Sequence, residues 1–252
     1  MPLGLLTAGS GPPLLLIHGG FGQIERWEPV WDLLVDEWLV TAMDRRGRGS
    51  SGDSDAYNIG LEYDDIAAVT TVLAHEAGEG VRVFAHSFGA TCALGAPNRG
   101  APIRHMVLYE PPGPETVPLE WIAHATALVA EGKAGAAMVS FLTEIVGLST
   151  DEVEVLRRAP IGYDILSVLT ATLPREAEAL TSVDLLGEAR RLPCPITMLI
   201  GAHSPPWASN IARAVAEAAP LADVVVLPGV GHDAIDSSPD LVARHLQRHF
   251  FD

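Results

Sequence analysis

Ser87 stands in the pentapeptide Ala85-His86-Ser87-Phe88-Gly89, between the apolar run Val81-Arg82-Val83-Phe84 and the small residues Ala90-Thr91-Cys92-Ala93. That order predicts a strand, a sharp turn carrying the serine, and a helix start. A serine on such a turn is lifted out of the backbone, and the N–H groups of the following helix point at its hydroxyl. In that setting an ordinary serine becomes a nucleophile. The pentapeptide departs from G-x-S-x-G at its first position, where Ala85, the smallest substitute, replaces glycine. Taken alone, it fits equally well a serine that merely caps the next helix.

The elements that would position such a serine are legible as alternation. Short apolar runs at 13–18, 38–43, 81–85, 104–109, 195–200 and 222–227 read as strands. Helical patterns at 26–36, 62–77, 88–97, 208–219 and 239–250 lie between or after them. Runs this apolar suit strands buried on both faces of a parallel sheet. The expected fold is α/β, a mostly parallel, doubly wound sheet, with residues 1–112 and 191–252 forming the core. The stretch 113–190 breaks the alternation. It carries helical patterns at 119–131, 134–147, 150–159, 163–172 and 175–181 and reads as an all-helical cap inserted into the core. Its apolar residues include Trp121, Phe141, Tyr163, Leu166 and Leu169.

Parallel sheets present chemistry at the carboxyl ends of their strands. Those ends read His18-Gly19-Gly20-Phe21-Gly22, Asp44-Arg45-Arg46-Gly47-Arg48-Gly49-Ser50-Ser51-Gly52, the Ser87 turn, Tyr109-Glu110, Gly201-Ala202-His203-Ser204, and Gly229-Val230-Gly231-His232-Asp233. The first is either a glycine turn or a loop whose N–H groups approach a ligand closely. A serine, a glutamate and a histidine thus stand at three strand ends, in that chain order.

Bulk properties narrow the class. A formal net charge of −16 over 252 residues argues against a nucleic-acid partner. Cys92 and Cys194, the only cysteines, have no metal-ligand spacing and imply a reducing compartment. No apolar run reaches membrane-spanning length and the N-terminus shows no leader pattern, so the expectation is a soluble cytoplasmic protein without membrane contact. Its partner would be a small molecule; oligomeric state is not encoded in these features.

With these pieces together, the sequence resembles the α/β-hydrolase family across nearly its whole length. The resemblance rests on His18-Gly19-Gly20, the D-x-x-G-x-G-x-S stretch from Asp44 to Ser51, the Ser87 turn and Gly231-His232. It implies Ser87 as nucleophile and His232 as base, with an oxyanion hole from the N–H of Phe88 and of Gly20 or Phe21. The family most often places its acid after the strand 195–200, where this chain has Ser204, which cannot ionise. Some members carry the acid after the strand that follows the elbow helix, and Glu110 occupies that place; Asp233 is the fallback. Trp121, Phe141 and His203 are candidate substrate contacts. The implied activity is hydrolysis of carboxylic esters with apolar parts, through an acyl-enzyme, without cofactor or metal. Lactones, thioesters and activated C–C bonds use the same residues, as does a perhydrolase or haloperoxidase-like activity. A non-hydrolytic binding or cyclase scaffold is the alternative of another class.

Other patterns have plainer readings. Gly47-x-Gly49-x-x-Gly52 matches a dinucleotide fingerprint, but a polar loop follows instead of a helix. His245 and His249 lack the glutamate of a zinc-binding H-E-x-x-H and read as one helix face. Glu62, Asp64 and Asp65 read as the acidic first turn of a helix.

Overall fold

The computed structural model describes residues 1–54, 56–151, 153–154 and 169–251. Seven strands form one sheet: β1 (Leu5–Gly9), β2 (Pro13–Ile17), β3 (Leu39–Met43), β4 (Val81–His86), β5 (Ile103–Tyr109), β6 (Ile196–Gly201) and β7 (Ala222–Leu227). Their spatial order is β1-β3-β2-β4-β5-β6-β7, with β1 antiparallel to β3 and every other pairing parallel. The fold is therefore the expected α/β arrangement. A single strand, rather than a hairpin, precedes β2.

The continuous apolar runs become strands because both their faces are covered. Every residue of β2, β4 and β6 is buried. One face, from Leu14, Leu16, Phe84, Val107 and Leu199, packs with Trp27, with Val30 and Leu34 of the following helix α1 (Glu28–Val35), and with Val242, Leu246 and Phe250 of the C-terminal helix. Successive strand residues alternate faces, so Leu15, Ile17, Val83 and Ala85 turn to the other side, where α2 (Ile59–Ala77) and α3 (Phe88–Gly95) meet β2 and β4.

The chain divides into two compact units, Met1–Pro112 with Asp184–Asp252, and Gly113–Val183. The second unit is helical in its described residues, with helices at Leu119–Ala130, Ala134–Ser140 and Leu173–Leu180. The expected helices at 150–159 and 163–172 fall largely outside the described residues, as do Tyr163 and Leu166. The sequence reading ran the insertion to residue 190. Instead, Leu185–Arg190 is a helix of the larger unit, capped by the Asp184 carboxylate on the Gly187 N–H (2.9 Å) and packed against α3.

Candidate active site

The turn after β4 carries the first candidate side chain. Ser87 has φ 53° and ψ −128°, and its side chain makes no capping hydrogen bond to α3. It is therefore not a helix cap; the backbone is held in a conformation that L-residues avoid. Its N–H donates to the Tyr109 carbonyl at 2.8 Å, continuing the β4–β5 ladder one step past the last strand residue. Small neighbours make the turn feasible. A Cβ on Gly89 would lie 2.3 Å from the His18 carbonyl oxygen, and one on Gly19 would lie 2.9 Å from the Ser87 Cβ. Ala85 is a fully buried residue of β4.

Glu110 follows β5 and is the second non-glycine residue with positive φ, 50°. Its carboxylate is fully buried and divided between two donors. Oε1 accepts from the Gly201 N–H at 2.7 Å, and Oε2 lies 2.6 Å from His232 Nδ1. The ring of His232 is thereby oriented from β5, while the last residue of β6, before the loop that follows it, supplies a backbone N–H to the acid. Ser204 sits in that loop, its Oγ 2.7 Å from where a Gly201 Cβ would be. Asp233 is exposed, and its carbonyl accepts from the N–H groups of Asp236 and Ser237.

His232 is held by two side chains absent from the sequence-based site. His86 Nε2 lies 3.1 Å from the His232 carbonyl oxygen, and the two rings are 4.5 Å apart between centroids. Because a carbonyl can only accept, that nitrogen carries the proton. The Tyr109 hydroxyl donates to the carbonyl of Gly231. Burial, followed by the charge of His232, lowers the His86 pKa well below the ordinary histidine range. Burial, followed by the neighbouring Glu110, raises that of the Tyr109 phenol. Both groups are thus neutral clamps on the Gly231–His232 loop. The Ser87 hydroxyl makes no hydrogen bond to His232 among the described residues, a looseness common before substrate binds.

The glycine loop after β2 lies against Ser87. Gly20 and Phe21 are half-buried, and Phe88 is buried at the start of α3. The first N–H groups of a helix have no intrahelical acceptor, which leaves that of Phe88 available. Gly22 must lack a side chain, because a Cβ there would lie 2.7 Å from His18. His18 is fully buried, and its pKa is lowered first by burial and then by Arg45 and Arg48.

The D-x-x-G-x-G-x-S stretch is a loop scaffold. Asp44 accepts from the Ile24 and Ser50 N–H groups at 2.9 and 2.8 Å, and Ser51 Oγ donates to the Asp44 carbonyl at 2.6 Å. Gly49 has φ 47°, and a Cβ there would lie 2.1 Å from the Asp44 carboxylate. Of the acidic group on α2, Glu62 is more than a first-turn acid. It is fully buried and paired with Arg45 at 2.8 Å, while Asp65 pairs with Arg46 at 2.7 Å.

The three candidate substrate contacts fall in different places. Trp121 is buried in the helical unit, donates its indole N–H to Ser140 Oγ at 2.8 Å and meets the Phe141 ring at 5.2 Å. His203 is exposed after β6, and its backbone N–H donates to the Val230 carbonyl at 2.9 Å. Trp207, which the sequence reading passed over, stands edge-on to the His232 ring at 5.9 Å between centroids. His245 and His249 stack on one helix face at 6.0 Å between centroids.

This geometry has relatives. Residues 14–245 match the profile of the alpha/beta hydrolase family. A 2-(acetamidomethylene)succinate hydrolase from Mesorhizobium japonicum is 26% identical over 264 residues, covering 97% of this chain and 90% of that protein. An alpha/beta hydrolase from Sphaerobacter thermophilus superposes with a TM-score of 0.85 at 30% identity, covering 99% of this chain and 96% of that one. An N-formylmaleamic acid deformylase from Pseudomonas putida shares the fold, with a TM-score of 0.70 at 22% identity over 96% of this chain and 95% of that one. A match that runs from β2 into the C-terminal helix, with strand ends arranged as above, means that this chain belongs to the alpha/beta hydrolase family.

Proposed function

We propose that the protein is a serine hydrolase that cleaves carboxylic acyl bonds, esters foremost, through an acyl-enzyme on Ser87. The observation that carries this reading is the Glu110–His232 contact at 2.6 Å, made beside a serine held at positive φ. In the proposed reaction the Ser87 Oγ–H proton passes to His232 Nε2 as Oγ bonds to the substrate carbonyl carbon. Glu110 keeps the proton on Nδ1 and stabilises the imidazolium that forms. The N–H groups of Phe88 and Gly20 receive the oxyanion, a type of donor worth about 10²–10³ in rate. His232 then protonates the leaving group as its bond to carbon breaks. Water, deprotonated by the same ring, attacks the acyl-enzyme and releases the carboxylic acid and Ser87. Every step is carried by side chains and backbone of the larger unit.

The test is intact mass after exposure to a fluorophosphonate. One adduct on the wild type and none on Ser87→Ala supports an activated serine. A folded wild type that takes no adduct sinks the reading and leaves a non-hydrolytic scaffold. The bond class follows from turnover of p-nitrophenyl esters, lactones and thioesters. The Mesorhizobium relative acts on 2-(acetamidomethylene)succinate, so that compound belongs beside the esters in the panel.

A further inference from the structure

Arg45 is a fully buried cation outside the Ser87–His232–Glu110 set, and its ion pair with Glu62 is fully buried on both sides. Burying two charges is costly unless their remaining hydrogen-bonding groups are satisfied. Here two of the guanidinium's other donors go to the glycine loop. Nε donates to the His18 carbonyl at 3.0 Å and Nη2 to the Gly19 carbonyl at 3.1 Å. The Arg45 backbone N–H donates to His18 Nε2 at 3.1 Å, which places the His18 proton on Nδ1, and Nδ1 donates to the Gly19 carbonyl at 2.9 Å. The Gly22 N–H reaches the same oxygen at 3.2 Å. One carbonyl thus collects three donors, two of them arranged by Arg45.

A trans peptide ties the direction of a carbonyl to that of the next N–H, which points the opposite way. There is no cis bond among the described residues. With the Gly19 carbonyl fixed toward Arg45 and His18, the Gly20 N–H faces away from them. Gly19 itself lies against Ser87. The second oxyanion donor, the N–H of Phe88, belongs to a residue whose ring lies under the same guanidinium, 4.8 Å from its carbon. The peptide between Gly19 and Gly20 joins two residues with no steric preference for one orientation, so something outside the loop must choose it.

We infer that Arg45 is a positioning residue for the oxyanion hole: its guanidinium fixes the Gly19–Gly20 peptide so that the Gly20 N–H, rather than a carbonyl, meets the charge that develops on the substrate at Ser87. The inference rests on the proposed serine reading. It also selects Gly20 over Phe21 as the donor. A flipped peptide would present an oxygen to the oxyanion, so the loss falls on the transition state and not on substrate binding.

The test is Arg45→Lys, which keeps a cation beside Glu62 but lacks the planar fork that reaches two carbonyls. On a p-nitrophenyl ester, kcat is expected to fall about 10- to 100-fold, approaching the loss of one donor, with KM nearly unchanged. The pH–rate profile stays in place. The Ki of an aryl boronic acid, whose tetrahedral adduct places an oxygen in the hole, rises in parallel with the fall in kcat. A purely structural role would lower the melting temperature without this kcat-against-KM split or the parallel rise in Ki. Where Arg45→Lys does not fold, Arg45→Gln with Glu62→Gln removes both buried charges and is read in the same way. Wild type that labels with fluorophosphonate, combined with a folded variant of unchanged kcat, overturns the inference alone. Wild type that does not label overturns the serine reading and the inference together.

Discussion

Ser87 and Glu110 are the two non-glycine residues at positive φ among the described residues, and they end neighbouring parallel strands. Each keeps its N–H in the sheet's ladder, Ser87 on the Tyr109 carbonyl at 2.8 Å and Glu110 on the Leu199 carbonyl at 3.2 Å. With the N–H anchored, the unusual φ swings the rest of the residue away from the strand direction. Such conformations cost about 1–3 kcal/mol each and persist where the surroundings over-determine them. Here they bracket the Tyr109 peptide, and the Glu110 carboxylate holds His232.

That cost can be measured. Ser87→Gly and Ser87→Ala both delete the hydroxyl, but only glycine accepts φ 53° without strain. The glycine variant is expected to be more stable than the alanine variant by about 1 kcal/mol or more, read from urea midpoints. Equal midpoints would show that the turn holds no strain.

Glu110→Gln preserves the shape of the acid but removes its charge. kcat is expected to fall by about 10³–10⁴, as when an uncharged amide replaces the acid of a serine protease triad. Fluorophosphonate labelling slows by a similar factor. Full activity in this variant would move the acid elsewhere, and Asp233→Asn would then be the variant to assay.

Gly89→Ala puts a methyl group 2.3 Å from the His18 carbonyl oxygen and 2.7 Å from that of Ile17. A cost of about 2 kcal/mol or more is expected, with loss of activity, because α3 and the end of β2 must separate. Gly78 is a control, since it has φ 71° and open space around it. There alanine meets only the left-handed backbone penalty of about 1–2 kcal/mol. Chemical denaturation of the two variants gives the comparison.

Acid should weaken the fold. His18 and His86 have pKa values lowered by burial, so the unfolded chain binds more protons than the folded one as pH falls below the ordinary histidine value. Their contribution to stability is complete above about pH 6.5 and is lost as pH drops toward their folded values. Melting temperature is expected to decline from pH 7 to pH 5, less steeply in His86→Gln. A melting temperature that rises toward acid would contradict this.

The sequence exposed what has a strong local signature and concealed what depends on distant partners. The strands β2 to β7 are legible because short, mostly apolar runs recur along the chain, and Ser87 because small residues must surround a strand-to-helix turn. Glu110 was placed by position at a strand end, whereas its positive φ has no signature in a glutamate codon. The helix Leu185–Arg190 was absorbed into the insertion, although Asp184 three residues before Gly187 is a capping signal. Arg45 was hidden most completely. Three arginines within four positions carry no mark of which is buried, and only the fold brings Glu62, His18 and Gly19 around one of them.

Ser87 and Glu110 belong to one strand–helix–strand crossover, β4–α3–β5, and the helical unit begins at Gly113, just beyond it. His232 comes from the far side of that unit in the chain. Ser87 and Glu110 are therefore a short-range pair, closed by a local crossover, while His232 must be delivered across a long loop of chain. A lineage could exchange the whole stretch 113–183 for another helical module and leave the serine and its carboxylate inherited as a single cassette.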